Sequence, residues 1–326
     1  MRTVRDVTEL RSALTPERRA GRTIGLVPTM GALHKGHLSL IERAREQCDI
    51  VVVSLFVNPS QFNERADLEH YPRREADDRA LAERAGADLL FAPSAEEVYP
   101  AGFATSVEVL GVTDRLEGEV RGAAHFRGVS TVVTKLLCMV GPNVAYFGQK
   151  DAQQVLVVRR LVEDLNLPVR IEACPTVREA DGLAMSSRNA LLGSEERARA
   201  LSLRAALLSA VELARLGEHS TEKLLEAASA AMKPFGVQAE YLAIVDPNTF
   251  EPVARLDSPA LLVLAARIGT TRLIDNEILQ PNLEPVQQSP LQPISNRTTG
   301  AVPQEAMRTP DPDQPNQREA QTTCSA

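Results

Sequence analysis

One stretch near the start of the chain decides the fold class, the sequence IGLVPTMGALHKGH at residues 24–37. Residues 24–27 are apolar and predict a buried strand. A glycine-containing loop follows, after which Leu38, Ile41 and Ala44 recur at the spacing of one helical face. The stretch therefore predicts a strand, a loop and the start of a helix, in that order.

The same alternation continues along the chain. Apolar segments at 50–56, 88–91, 144–147 and 168–171 predict four more strands, and the segments 129–140 and 155–165 have helical spacing. Alternating strands and helices favour an α/β protein in which helices cover both faces of a parallel sheet. We therefore expect a Rossmann-like, doubly wound parallel sheet of five strands.

The pattern changes after residue 176. Two amphipathic helices are predicted at 195–216 and 221–233, followed by strand-like segments at 241–245 and 261–265. Beyond them the sequence is rich in Pro, Gln, Asn, Ser and Thr and has no apolar periodicity. We expect a first domain at 1–176, a smaller α+β domain at 177–282 that closes over the site, and a disordered tail at 283–326.

Composition excludes several classes of protein. The 326 residues carry a formal charge of -7, which argues against an extended nucleic-acid surface because such surfaces need clustered Lys and Arg. The sequence contains no run of about 18 apolar residues, so it predicts no membrane span. The four cysteines have no metal-ligand spacing, and charged residues rather than an apolar signal follow Met1. These features predict a cytoplasmic protein that binds neither nucleic acid nor a membrane.

The loop within residues 24–37 has the chemistry of a phosphate site. Gly31 and Gly36 allow backbone amides to approach an anion, and the start of the following helix offers free N–H groups. The spacing of these glycines mimics a P-loop, but His37 and Leu38 stand where Lys and Ser or Thr are required. No G-x-G-x-x-G follows the strand either. His34 and His37 lie on one side of the first helical turn, where they can donate hydrogen bonds to phosphate.

The segment His34-Lys35-Gly36-His37 resembles the H-x-G-H signature of the nucleotidyltransferase superfamily. Residues 27–34 are similar to the first ATP-binding segment of the pantothenate synthetase family within it. Further blocks similar to that family follow in the same order along the chain, at 56–62, 71–73, 125–129, 147–154, 175–189 and 269–276. The resemblance spans roughly residues 1 to 280.

This resemblance implies a two-step ligation of small molecules. Pantoate attacks the α-phosphate of ATP to give pantoyl adenylate and pyrophosphate, and the amine of β-alanine then displaces AMP to give pantothenate. Adenylation turns a poor acyl donor into a good one, so no enzyme nucleophile is required. The resemblance also implies that Mg²⁺ accompanies ATP and that the protein is a homodimer.

Site residues follow from the matching blocks. The resemblance implies catalytic roles for His34, Lys150, Arg188 and His37, of which His37 is the usual proton donor. It implies an ATP site made of Met30, Gly31, Ala32, Leu33, His34, Lys35, Gly36, His37, Gly148, Gln149, Lys150, Asp151, Val177, Met185, Ser186, Ser187 and Arg188. Pantoate and β-alanine would contact Gln61, Gln154 and Asn58, and Mg²⁺ would bind Asp77 and Asp78.

Plainer interpretations of the same residues remain open. Asp151 can be a helix cap, and Asp77 and Asp78 can belong to a solvated helix face. Arg121 precedes a segment one residue longer than the Arg-Pro-Gly-His form of many family members. For the whole chain, one alternative is another nucleotidyltransferase that retains its adenylated product, and a second is a nucleotide-binding module without catalysis. Gln61, Gln154 and the 175–189 block speak against the first, and both histidines with the Lys150 and Arg188 cations speak against the second.

Overall fold

A parallel sheet forms the centre of the larger part of the protein. The structure is a computed structural model that describes residues 1–62, 68–69 and 71–281. The sheet has six strands in the order β1-β4-β3-β2-β5-β6, with every neighbouring pair parallel. Their bounds are Arg2–Val4 (β1), Ile24–Thr29 (β2), Ile50–Leu55 (β3), Leu89–Phe91 (β4), Val144–Gly148 (β5) and Arg170–Cys174 (β6). The predicted doubly wound α/β class is confirmed, with one strand more than expected.

Helices cover both faces of this sheet because side chains alternate along buried strands. Leu26 packs into one apolar cluster with α1 (Val7–Arg19), α6 (Ala123–Val140) and α7 (Ala152–Asp164). Its neighbour Val27 packs into a second cluster with α2 (Lys35–Gln47) and α3 (Glu75–Arg84). Two short helices, α4 (Ala95–Val98) and α5 (Glu117–Arg121), lie in the connection between β4 and α6.

A second, antiparallel sheet lies in the C-terminal part of the described chain. Its strands are β7 (Ala239–Val245), β8 (Ala260–Ile268) and β9 (Thr271–Leu279), in that order. Helices α8 (Ser194–Arg215) and α9 (Thr221–Met232) pack against it through apolar side chains such as Leu203, Leu224 and Leu262. This confirms the smaller α+β part of the predicted fold and both of its helices.

The described residues form one compact unit that holds both sheets. The domain boundary between residues 176 and 177 therefore stays a prediction. The predicted tail at 283–326 lies outside the described residues. None of the helices within 1–62, 68–69 and 71–281 is long and apolar enough to cross a membrane.

The buried carboxylate of Glu117 joins helix α5 to the small sheet. It accepts hydrogen bonds from two nitrogens of Arg272, at 2.7 and 2.9 Å, and from the Tyr241 hydroxyl at 2.9 Å. Arg121 Nε, one turn further along α5, donates to the same carboxylate at 2.6 Å. Burial raises the pKa of Glu117, but the two guanidinium groups outweigh burial and hold the pKa at about 2. Glu117 is therefore charged at neutral pH and links the two parts of the chain.

Replacing Glu117 should destabilise the protein strongly. Glu117→Ala leaves Arg272 partly buried without this partner, and breaking a buried pair from one side costs about 3 kcal/mol. Glu119→Ala is the matched control, because Glu119 lies on the same short helix but is exposed. Urea unfolding measures both variants. Equal free energies of unfolding for the two would contradict a structural role for the Glu117 cluster.

Candidate active site

A cavity of about 850 Å³ opens at the carboxyl ends of strands β2, β3 and β5. This is the edge at which open parallel sheets bind their ligands. Strand β9 of the small sheet contributes part of the opposite wall through residues 271, 272 and 274–276. The volume is that of a typical small-molecule site.

Most of the site residues predicted from the sequence line this one cavity. They are Met30, His34, Gly36, His37, Asn58, Gln61, Gly148, Lys150, Asp151, Gln154, Val177, Met185, Ser186, Ser187 and Arg188. A smaller group flanks the cavity in sequence without lining it: Gly31, Ala32, Leu33, Lys35 and Gln149. Blocks far apart in the chain therefore converge on one place, whereas Asp77 and Asp78 lie outside it.

His34 and His37 cap the start of helix α2 with their rings. Nδ1 of His34 accepts a hydrogen bond from the Gly36 amide at 3.2 Å, and Nδ1 of His37 accepts one from the His34 amide at 3.3 Å. A ring nitrogen that accepts carries no proton, so each neutral ring holds its proton on Nε2. The ring centroids are 4.1 Å apart. Two N–H donors therefore stand side by side at the cavity.

The histidines of the cavity are uncharged at physiological pH. Burial, together with the neighbouring His34 ring, lowers the pKa of His37 to about 3. Burial and the Lys150 ammonium group lower the pKa of His34. Burial and the Arg121 guanidinium lower the pKa of His125, which also lines the cavity, to about 4. The site thus offers neutral imidazole rings and fixed cations to an anionic ligand.

The lowered pKa values of these histidines predict that acid destabilises the folded protein already at pH values well above 4. Each folded-state pKa lies below the unfolded value of about 6.5, so the unfolded chain binds more protons between pH 6.5 and the folded pKa. The free energy of unfolding should therefore fall as the pH drops through this window, by up to about 1.4 kcal/mol per pH unit for each histidine. Urea unfolding between pH 7.5 and 4.5 measures this loss. In His37→Gln the slope should be shallower, and a slope identical to that of the unaltered protein would contradict the buried neutral state of His37.

Basic and hydroxyl groups line the other side of the cavity. The Lys150 side chain is only 17% exposed and lies 3.5 Å from an oxygen of Asp151, where β5 gives way to helix α7. Ser186 and Arg188 belong to a loop after β6, and the Ser186 hydroxyl accepts from the Arg188 amide at 3.3 Å. Ser187 and Tyr71 line the same cavity. Two cations and two hydroxyl groups thus face the space in front of the histidine pair.

Gln61 follows strand β3 and is held in place by its neighbours. The Asn58 amide nitrogen donates to the Gln61 side-chain oxygen at 3.1 Å and to the Gly128 carbonyl at 3.1 Å. The Asn58 oxygen accepts from Ser60 and from Tyr99, so every polar atom of this 1% exposed side chain is in use. Asn58 therefore positions Gln61 and has no free group for a substrate.

The nitrogen of the Gln61 amide has only a weak partner. It lies 2.8 Å from the Met30 sulfur, which is a poor hydrogen-bond acceptor. His125 Nδ1 donates to the Gln61 backbone carbonyl at 2.8 Å, so this ring also fixes the position of Gln61. Gln154 lines the cavity from α7, and its amide has no partner among residues 1–62, 68–69 and 71–281. Both glutamine amides are thus available to a polar ligand.

A residue that the sequence did not single out binds the Lys150 loop to the small sheet. The side-chain nitrogen of Asn276, in strand β9, donates to the backbone carbonyls of Gln149 and Lys150 at 2.9 Å each. The preceding residue, Asp275, forms a two-pronged ion pair with Arg178 at 2.6 and 3.1 Å. The 269–276 block resembled the family, yet only the fold reveals that it supports the site.

The acidic residues predicted to bind Mg²⁺ do not fit a metal ion. Both oxygens of the buried Asp78 accept hydrogen bonds from backbone amides, from Ala32 at 3.0 Å and from Leu33 at 2.7 Å, while the neighbouring Asp77 is exposed. In the part of the chain that the structure describes, no group of three or more His, Cys, Asp or Glu could hold a metal. Asp78 is thus committed to the loop between β2 and α2.

Comparisons with known proteins agree with this site. The chain matches the model of the pantoate-beta-alanine ligase family over residues 2–278. It is 53% identical to the pantothenate synthetase of Cereibacter sphaeroides over 273 residues, which cover 84% of this chain and 98% of the relative. The pantothenate synthetase of Heliobacterium modesticaldum is 51% identical over 281 residues, with 86% of this chain and all of the relative covered.

Solved structures lead to the same family. The crystal structure of pantothenate synthetase from Thermus thermophilus matches with a TM-score of 0.82 and 49% identity. The match covers 86% of this chain and 100% of the chain in that structure. The crystal structure of a pantoate-beta-alanine ligase from Francisella tularensis, complexed with β-γ ATP and β-alanine, matches with a TM-score of 0.71 and 34% identity. This match covers 85% of this chain and 97% of the chain in that structure. With the match over residues 2–278, these likenesses show that the chain belongs to the pantoate-beta-alanine ligase family.

Proposed function

We propose that this protein condenses pantoate with β-alanine at the expense of ATP, giving pantothenate, AMP and pyrophosphate by way of pantoyl adenylate. The observation that carries the proposal is the composition of one cavity in a member of this family. Two histidine N–H donors, the cations of Lys150 and Arg188 and the amides of Gln61 and Gln154 all line it. These donors, cations and amides suit a nucleoside triphosphate that binds beside a hydroxy acid.

In the first step, a pantoate carboxylate oxygen attacks the α-phosphorus of ATP and pyrophosphate leaves. The Nε2–H groups of His34 and His37 donate hydrogen bonds to phosphate oxygens whose negative charge grows in the transition state. Because burial keeps His37 neutral, its part as proton donor is that of a hydrogen-bond donor rather than of a charged acid. Lys150 and Arg188, with the hydroxyls of Ser186 and Ser187, neutralise the departing pyrophosphate.

In the second step, the neutral amine of β-alanine attacks the acyl carbon of pantoyl adenylate. The C–N bond forms, the C–O bond to AMP breaks, and the amine loses its proton to solvent. The amides of Gln61 and Gln154 bind the hydroxyl and carboxylate groups of pantoate, for which neutral donors and acceptors are suited. Holding the two reactants in contact is the main contribution of the site to this step.

The rest of the proposal concerns the metal ion, the smaller domain, the compartment and the oligomeric state. Mg²⁺ enters with ATP, and phosphate oxygens and water are its natural ligands because Asp77 and Asp78 do not fit it. The part of the chain at 177–282 acts as a domain that closes over the nucleotide. The protein works in the cytoplasm as a homodimer.

The decisive experiment incubates the purified protein with ATP, pantoate and β-alanine and follows AMP and pantothenate. AMP should appear only when both acids are present, and exchange of pyrophosphate into ATP should require pantoate. Formation of ADP, or exchange that is independent of pantoate, would overturn the proposal. Accumulation of a stable adenylated product that β-alanine does not consume would point instead to another nucleotidyltransferase.

A further inference from the structure

Asp78 lies beneath the loop that joins strand β2 to helix α2. It belongs to the first turn of α3, more than forty positions further along the chain, and it is 2% exposed. Its Oδ2 accepts the Ala32 amide at 3.0 Å and its Oδ1 accepts the Leu33 amide at 2.7 Å. One carboxylate therefore binds two successive amides of the loop that ends at His34.

This loop needs a fixed partner because its backbone is unusual. Gly31 has a φ of +93° and Ala32 a φ of +52°, and left-handed geometry is uncommon for a residue with a side chain. The turn directs the amides of Ala32 and Leu33 toward the interior, where an unpaired N–H would cost about 1–3 kcal/mol. The Asp78 carboxylate removes that cost. It thereby stabilises the one conformation that leads into the His34 cap.

The loop conformation in turn determines where the histidine rings lie. His34 follows Leu33 directly, and its ring and backbone form the capping arrangement that includes His37. A shift of the loop would move the His34 ring and break this arrangement. Asp78 does not line the cavity, so its effect on a ligand must pass through the loop.

We propose that Asp78 is a positioning residue of the adenylation step and not a metal ligand. This inference rests on the proposed function for its catalytic part. The carboxylate holds residues 31–33 so that the Nε2–H groups of His34 and His37 meet the phosphates of ATP. Asp77, its exposed neighbour in sequence, has no part in this.

The test compares Asp78→Asn with Asp77→Asn as the matched control. Asparagine keeps one acceptor oxygen, but its NH₂ group faces the second amide, so one loop hydrogen bond is lost. Asp78→Asn should raise KM for ATP about tenfold or more and lower kcat, while KM for pantoate changes less than twofold. The Mg²⁺ concentration that gives half-maximal activity at saturating ATP should stay within twofold of the unaltered protein. Asp77→Asn should match the unaltered protein throughout.

Two outcomes of this comparison would overturn the proposal. One is an Asp78→Asn protein with unchanged kinetics. The other is a Mg²⁺ requirement that rises severalfold in both variants, which is the behaviour of a metal site made of the two carboxylates.

A second measurement uses the unaltered protein, so it does not depend on whether a variant folds. The amides of Ala32 and Leu33 should exchange slowly with solvent deuterium without nucleotide, and Mg²⁺ alone should leave their rates unchanged. Fast exchange at these amides, or rates that respond to Mg²⁺ alone, would overturn the inference. This readout does not require turnover, whereas failure of the proposed function would appear as an unaltered protein that forms no AMP.

Discussion

His37→Ala should slow formation of pantoyl adenylate by about 10²- to 10⁴-fold, the usual loss when a transition-state contact is removed. The ring is one of two N–H donors at the start of α2, and alanine has no donor to replace it. The expected loss lies in the chemical step, so kcat should fall more than the affinity for ATP. Single-turnover release of pyrophosphate from ATP and pantoate, without β-alanine, measures that step alone.

The His37 ring also caps its helix, and a second variant separates the two roles. Glutamine at the third helical position can accept the His34 amide as the ring does, so His37→Gln should keep the free energy of unfolding within about 0.5 kcal/mol. His37→Ala should lose about 1 kcal/mol. If both variants turn over as fast as the unaltered protein, His37 takes no part in the adenylation step.

Lys150→Met should reduce kcat/KM for ATP by about 10²- to 10³-fold. The ammonium group is largely shielded from water and lies at the end of β5 beside the histidine pair, where it can neutralise charge on the departing pyrophosphate. Methionine retains most of the side-chain volume but removes the charge. Steady-state kinetics at varied ATP measures the loss.

A cation outside the cavity provides the control for Lys150→Met. Arg160 lies further along α7, is exposed and pairs with Glu163 and Asp164. Arg160→Met should therefore leave kcat/KM within twofold of the unaltered protein. Similar losses in Lys150→Met and Arg160→Met would indicate an effect of net charge and would contradict a specific role for Lys150.

The sequence predicted the parts of the fold that its apolar periodicity encodes. Five strands of the large sheet and both long helices of the small part follow from local patterns, because each buries an apolar face. Strand β1 escaped prediction because only Val4 of its three residues is buried, so it has no apolar run like that of the equally short β4. Strand β9 escaped because Asp275 and Asn276, residue types that are rare in strands, interrupt its pattern.

The supporting contacts of the site could not be predicted from the sequence in the same way. Glu117 and Arg272 are 155 positions apart, and no local pattern links them. Asp77 and Asp78 looked alike as an acidic pair, and only the fold separates the exposed carboxylate from the one buried beneath the loop. The ligand roles of Gln61, Gln154, Lys150 and Arg188 came from family-like blocks and remain predictions, of which Lys150→Met tests the one for Lys150.

The bond from Asn276 to the Lys150 loop also sets the order in which the site can be completed during synthesis. Lys150 and Asn276 are separated by 126 positions, which a ribosome takes about 6 to 25 s to translate at roughly 5–20 residues per second. Strand β6, the last strand of the large sheet, is translated early in that interval, whereas the carbonyls of Gln149 and Lys150 lack their Asn276 partner until its end. The active-site cavity of the nascent chain thus gains the Asn276 hydrogen bonds only late in synthesis, after every strand of the large sheet has been translated.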